Sequence, residues 1–217
     1  MIKAVILDID GTLTDGVSWL KITELLGASV SEHERIFREF LNQELTYAES
    51  KRQLIGLWQA TGNANQTFLI NIFSNWDFKH DARSLIDYCN EQHYLTVLIT
   101  GSVDLFAEQI ARKLDAHAWY ANTQLVWDDK GNLIDFHYER DQATKKLEQF
   151  YDFLGNSTIK PEECIVIGDG DNDIKLFEIT KHGIAAASKD EGLLKEAWKA
   201  VNDLSQIRDI LQEAIRE

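Results

Sequence analysis

Short apolar runs and longer helical stripes alternate along the chain, and their order predicts its architecture. Residues 4–7 (AVIL) form an apolar run with two β-branched members, bounded by a charged residue and a Gly/Thr/Asp cluster; this predicts a buried parallel strand. From residue 17 to about 80 the spacing is helical and no strand pattern appears. Ile36, Phe37, Phe40 and Leu41 make one stripe, with Ser31 and Glu34 spaced as a capping box ahead of it. Tyr47, Leu54, Ile55 and Trp58 share a second face that Gly62 would stop, and Phe68, Leu69, Ile72 and Phe73 make a third.

Beyond residue 80 helices and short strands alternate. Ala82, Leu85, Ile86 and Cys89 mark a helix, and residues 94–99 read as a strand that runs out at Thr100, Gly101 and Ser102. A helix beginning near Asp104 carries Phe106, Ala107, Ile110 and Leu114, and Trp119 and Tyr120 open another extended stretch. Residues 124–127 and 133–138 predict a hairpin with a structural role, turned by Asp128, Asp129, Lys130, Gly131 and Asn132. A helix from Ala143 then carries Leu147, Phe150, Tyr151 and Leu154, with Gly155 as its carboxyl cap. Residues 164–167 form a strand, Leu176 and Phe177 lie on a helix, residues 183–186 form a further strand, and helices follow around Leu193 and over 204–215. Such alternation implies an α/β fold with a doubly wound, mostly parallel sheet. The core would comprise residues 1–16 and 81–217, and residues 17–80 would form a small helical cap domain inserted over the crevice.

Composition narrows the function classes. With 217 residues, 44% hydrophobic and 10% aromatic, the chain is long and apolar enough for a sizeable core. A formal charge of −14 argues against a broad nucleic-acid surface. No apolar run reaches the ~18 residues of a membrane helix, and the start lacks a signal-peptide pattern, so the expectation is a cytoplasmic protein without membrane partners. Cys89 and Cys164, each inside an apolar segment, read as buried thiols. Trp19, Trp58 and Trp76 in the helical insertion could line a substrate pocket, although core is the favoured reading for each, and the six histidines show no ligand spacing.

The candidate chemistry lies in four short elements, three of them at predicted strand ends, where open α/β sheets bind ligands. Asp8 and Asp10, two positions apart, would point to the same side of an extended segment, and two close carboxylates call for a cation, a shared proton, or both. Asp169, Asn172 and Asp173 follow the strand at 164–167 in the run GDGDND. A calcium loop would need Gly at 174 and an acid at 180, where Ile174 and Thr180 stand. Acids gathered at neighbouring strand ends suit a hard cation such as Mg²⁺. The Thr100 hydroxyl and Gly101 N–H, just ahead of a helix, suit an anion, and a lysine at 145 or 146 would add a positive charge; spacing favours Lys146.

DxDGT, a strand-terminal Thr, a lysine and GDGxND, in that order, resemble the haloacid dehalogenase (HAD) superfamily of phosphatases. The resemblance implies that Asp8 is the nucleophile and Asp10 the general acid/base. It also implies that Mg²⁺ is bound by Asp8, the backbone carbonyl of Asp10 and Asp169, with Asp173 holding a metal-bound water or completing the site. The helical insertion, LITGSVD at 98–104 and the hairpin before the lysine are most similar to the phosphoserine phosphatase branch. The glutamate that reads the substrate amine in that branch has its place here at Val17, and the arginine that reads the carboxylate at Leu54, with Arg52 close by. The expectation is a Mg²⁺-dependent, metal-binding hydrolase of a small phosphorylated metabolite working through an aspartyl-phosphate. A phosphotransferase and a non-catalytic phosphate-binding regulator are the alternatives.

Overall fold

In the computed structural model, which describes residues 1–214, strand β1 (Ala4–Leu7) is buried along its whole length with a parallel neighbour on each side. A helical excursion follows: α1 (Ser18–Leu26), α2 (Val30–Leu41), α3 (Tyr47–Gln59) and α4 (Gln66–Ser74). The chain then returns through α5 (Ala82–Glu91), β2 (Leu95–Val103), α6 (Asp104–Leu114), β3 (Ala118–Trp127), β4 (Leu133–Tyr138) and α7 (Gln142–Gly155). It closes with β5 (Cys164–Gly168), α8 (Ile174–Thr180), β6 (Gly183–Ala186), α9 (Glu191–Glu196), β7 (Lys199–Val201) and α10 (Ile207–Ala214). Ile215, where the last helix was expected to end, lies outside the described residues.

The described strands form one seven-stranded sheet in the order β4-β3-β2-β1-β5-β6-β7, parallel except for the β3–β4 hairpin. Alternation along β1 fills both faces. Val5 and Leu7 join a core with Ile86, Phe106, Ile110 and Leu211, whereas Ala4 and Ile6 join one with Phe150, Leu176 and Leu193. Cys89 and Cys164 are buried free thiols, and no helix among the described residues is long and apolar enough to cross a membrane.

The inserted helices divide their packing. α1, α2 and α3 pack in succession and α3 reaches β4, while α4 lies on α6. There Phe73 meets Phe106 edge-on at 5.2 Å, and Trp76 meets the same ring at 4.7 Å.

Several local expectations need correction. The cap of α2 is Ser29, whose hydroxyl accepts from Glu32 N–H at 3.2 Å, and not Ser31 with Glu34: Gly27, at φ +84°, ends α1 so tightly that the next helix starts at Val30. A capping box does form at Thr46 and Glu49. Gly155 stays inside α7, and Asn156 is the cap, its side-chain amide donating to Asp152 O at 2.9 Å. The stretches at 119–120 and 124–127 are one strand, β3, and β2 runs past Thr100 to Val103 with an irregular register against β3 there. The pattern missed β7, three residues long with only Val201 buried.

Candidate active site

β1 ends in a tight loop that sets the first two acids. Asp8 N–H extends the sheet ladder by donating to Ile167 O at 3.0 Å, and the Leu13 and Thr14 N–H groups turn back to Ile9 O at 2.8 and 3.0 Å. Gly11 sits at φ +74°, and a Cβ there would overlap the Asp169 carboxylate, so glycine is required both for the turn and for the approach of β5. A Cβ at Gly168 would likewise overlap Asp173. Lys79 Nζ donates to Gly11 O, and Thr12 Oγ1 donates to Asp169 Oδ1 at 3.1 Å, tying the loop to the far strand end.

Carboxylate oxygens of Asp8, Asp169 and Asp173 lie within 4.8 Å of one another. Lys146 is completely buried beside them, 2.7 Å from Asp173 Oδ1, 3.1 Å from Asp8 Oδ1 and 3.1 Å from Asn172 Oδ1. Lys145, one residue earlier on α7, points away and pairs with Glu148 at 3.0 Å. Burial alone would pull the Lys146 pKa down, but the charges of Asp173 and Asp8 outweigh it and hold the ammonium firmly protonated. Burial and the charge of Asp8 raise the Asp169 pKa, against the Thr12 hydrogen bond.

Three carboxylates therefore face one ammonium. Asp8 Oδ1 and Asp173 Oδ2 are buried without a hydrogen-bond donor; the Asp8 oxygen has only the unaligned ion pair with Lys146. Burial also pushes the Asp173 carboxyl up, against the charge of Lys146, so the excess negative charge gathered here calls for a proton or a cation. An all-oxygen donor set of this kind fits a hard divalent ion.

Asp10 is built differently. Its Oδ2 accepts from the Ser18 hydroxyl at 2.6 Å and from Ser18 N–H at 3.0 Å, and Ser18 Oγ lies 2.5 Å from Ser102 Oγ. Oδ1 is buried with no partner. Burial pushes this carboxyl up to about 7, against the Ser18 hydroxyl, and the charge of Asp8 adds a smaller rise. Desolvation, more than the neighbouring Asp8, is thus the main cause. With Oδ2 saturated by donors, the proton belongs on Oδ1.

These groups form the floor of a cavity of about 570 Å³. Asp8, Asp10, Gly101, Asp169 and Asn172 line it, while Thr100, Lys146 and Asp173 are buried behind them. The Thr100 hydroxyl accepts from Ser102 N–H at 3.2 Å. The walls come from α1, α2, α3 and β4 and are largely apolar, with Val17, Trp19, Leu54, Phe136 and Tyr138 among them. The hairpin is therefore more than structural. Trp58 and Trp76 are core as expected, but Trp19 is half-buried and faces the cavity, stacked on Trp58 at 5.7 Å. Arg52 is exposed and does not line the cavity.

Sequence reasoning also missed Ser18, Ser102 and His33. Ser18 and Ser102 meet only in three dimensions, although each sits beside a recognised motif. His33 is buried on the cavity wall, its Nδ1 2.6 Å from Thr23 Oγ1, which also accepts from Trp58 Nε1–H at 2.8 Å.

The chain is similar to known proteins along most of its length. The phosphoserine phosphatase of Idiomarina loihiensis is 25% identical over 191 residues, covering 85% of this chain and 82% of that one. The phosphoserine phosphatase of Methanocaldococcus jannaschii is 24% identical over 212 residues, covering 97% and 96%. Among solved structures, a phospho-aspartyl intermediate analogue of phosphoserine phosphatase has a similar fold, with a TM-score of 0.70 at 23% identity over 97% of this chain and 99% of that one. A phosphoserine phosphatase from T. onnurineus gives a TM-score of 0.63 at 26% identity, covering 97% and 94%. The model of the haloacid dehalogenase-like hydrolases matches residues 2–178, and the chain belongs to that family.

Proposed function

We propose that the protein is a Mg²⁺-dependent phosphatase of small phosphomonoesters that works through an aspartyl-phosphate on Asp8. The observation that carries this reading is the meeting of Asp8, Asp169 and Asp173, whose carboxylate oxygens lie within 4.8 Å of one another, beside a separate carboxyl, Asp10, that Ser18 holds through Oδ2 and that burial pushes up to about 7. Asp8 and Asp169, with the backbone carbonyl of Asp10 and with Asp173 completing the site, would hold Mg²⁺. When bound, the ion offsets the repulsion between the anionic ester and the attacking carboxylate.

The chain's own groups supply the rest. Lys146, 3.1 Å from Asp8 Oδ1, offsets negative charge as the phosphate arrives, while Gly101, next to Thr100 and ahead of α6, presents backbone to the phosphate oxygens. An Asp8 oxygen bonds to phosphorus as the ester P–O bond breaks, and Asp10 Oδ1 gives its proton to the departing alkoxide. Asp10, now ionised, takes a proton from a water whose oxygen attacks the same phosphorus, freeing Asp8 and inorganic phosphate. Relatives named phosphoserine phosphatase support the reaction class; Val17 and Leu54 on the wall argue for another ester.

A panel of phosphomonoesters, assayed with and without chelator on wild type and Asp8→Asn, tests the reading. Phosphate release that needs Mg²⁺ and disappears in the variant supports it; release unaffected by either change overturns it.

A further inference from the structure

We infer that the alcohol half of the substrate is apolar: the site takes the phosphate monoester of an extended aliphatic or aromatic alcohol rather than of an amino alcohol or a polyol. This rests on the phosphatase reading above and specifies its substrate. The cavity is continuous from Asp8 and Asp10 to the cap, and its volume of about 570 Å³ exceeds what a phosphate group fills. What remains is bounded mainly by Trp19, Leu20, Ile36, Leu54, Phe136 and Tyr138. At the mouth, Val17 and Phe37 also line it and are each about half exposed, at 54% and 50%, so the apolar path continues outward.

Most of the polar groups on these walls are already committed to the protein, the Tyr138 hydroxyl and His33 Nε2 being the exceptions. Lys51 is 2.8 Å from Asp135 and lies over the rings of Tyr47 and Phe136 at 5.6 and 6.0 Å. Ser50 Oγ donates to Tyr47 O at 3.0 Å, and Gln142 Oε1 accepts from Asn122 at 2.7 Å. The Thr23 hydroxyl lies against His33 Nδ1, and burial lowers the His33 pKa to about 4, so this wall residue is neutral at physiological pH. Glu34 has no ion pair among the described residues, but it is an exposed residue at the rim.

An ammonium, a carboxylate or several hydroxyls carried into such walls would lose more water than these few groups could replace. A hydrocarbon chain gains instead, by about fourfold in affinity for each methylene it buries. Ring stacking on Trp19 would serve an aromatic alcohol equally well.

The test is a homologous series of n-alkyl phosphates from ethyl to octyl, kept below micelle-forming concentration, with naphthyl phosphate, phosphoserine and glycerol phosphate as comparators. Turnover is measured with Mg²⁺ on wild type, and binding is measured by calorimetry on Asp8→Asn. The expected result is a kcat/KM that climbs roughly two- to fourfold per methylene. Octyl and naphthyl phosphate should then exceed phosphoserine and glycerol phosphate by about 100-fold or more. Trp19→Ala should flatten the slope mainly through KM, and Leu54→Asn offers the same reading if that variant misfolds. Turnover with a flat or falling slope, or with phosphoserine or glycerol phosphate preferred, overturns the apolar assignment and leaves the phosphatase reading intact. Tighter binding with chain length but no turnover of any ester does the reverse. Neither binding nor turnover sinks both.

Discussion

The acidic floor and the apolar walls border the same cavity but are held by different physics. On the floor, each side chain is fixed by a charge or a hydrogen bond from a distant part of the chain. Lys146 on α7 reaches Asp8 after β1 and Asp173 after β5, Thr12 holds Asp169, and Ser18 and Ser102 hold Asp10. On the walls, Trp19, Leu54, Phe136 and Tyr138 are placed by packing among α1, α3 and β4, where one apolar residue can replace another of similar volume. A floor of this kind tolerates little change, and walls of this kind can vary while the cavity persists.

Substitutions at the floor should produce the largest effects. Asp8→Asn should lower kcat by roughly 10⁴-fold or more, with the fold retained by circular dichroism; a wall change such as Trp19→Ala should act mainly on KM. Residual activity of Asp8→Asn within tenfold of wild type would erase the distinction between the two regions. Lys146→Met should come next. It removes the one ammonium among three carboxylates and should cost about 3–5 kcal/mol in urea unfolding with chelator present, with part of the loss recovered on adding Mg²⁺.

Asp10 gives a smaller, pH-dependent effect. Its carboxyl lies at about 7 in the folded chain against 3.8 for the free group, so between these values the folded state binds the extra proton. Stability of the metal-free protein should therefore fall as pH rises from about 4 to about 7, by on the order of 2–4 kcal/mol, relative to Asp10→Asn. The wall residue His33 should show the opposite slope. Its pKa drops from 6.5 to about 4 on folding, so the unfolded chain binds the proton in that window, and stability is lost as pH falls through it. Partial burial limits this to about 1–2 kcal/mol. Urea unfolding of wild type and His33→Gln at pH 7 and pH 5 measures it; parallel curves would show that His33 charges freely.

The same division explains what could be read from the sequence. β1 and β5 were legible because a strand buried on both faces is a plain apolar run, and the acids after them stand in fixed, short motifs. The choice between Lys145 and Lys146 was harder, since adjacent residues on a helix differ only in direction. Lys146 shares its face with Gln149, Phe150 and Phe153, all buried, and this spacing was the available signal. Ser18 and Ser102 carry no such mark: their contact spans 84 residues and depends on how α1 leaves the loop. Trp19 could be read as pocket or core, with core favoured, because one wall of a cavity and the interior of a bundle share the same helical periodicity. The place of the hairpin was hidden for a similar reason: Phe136 satisfies the strand pattern whether it faces core or ligand.

The most direct measurement is a calorimetric titration of Mg²⁺ into the wild-type protein and into Asp169→Asn at neutral pH. A single saturable site in the wild type, weakened by about tenfold or more in the variant, is the predicted result. Equal affinities in the two proteins, or no binding by the wild type, would contradict a cation held between Asp8, Asp169 and Asp173.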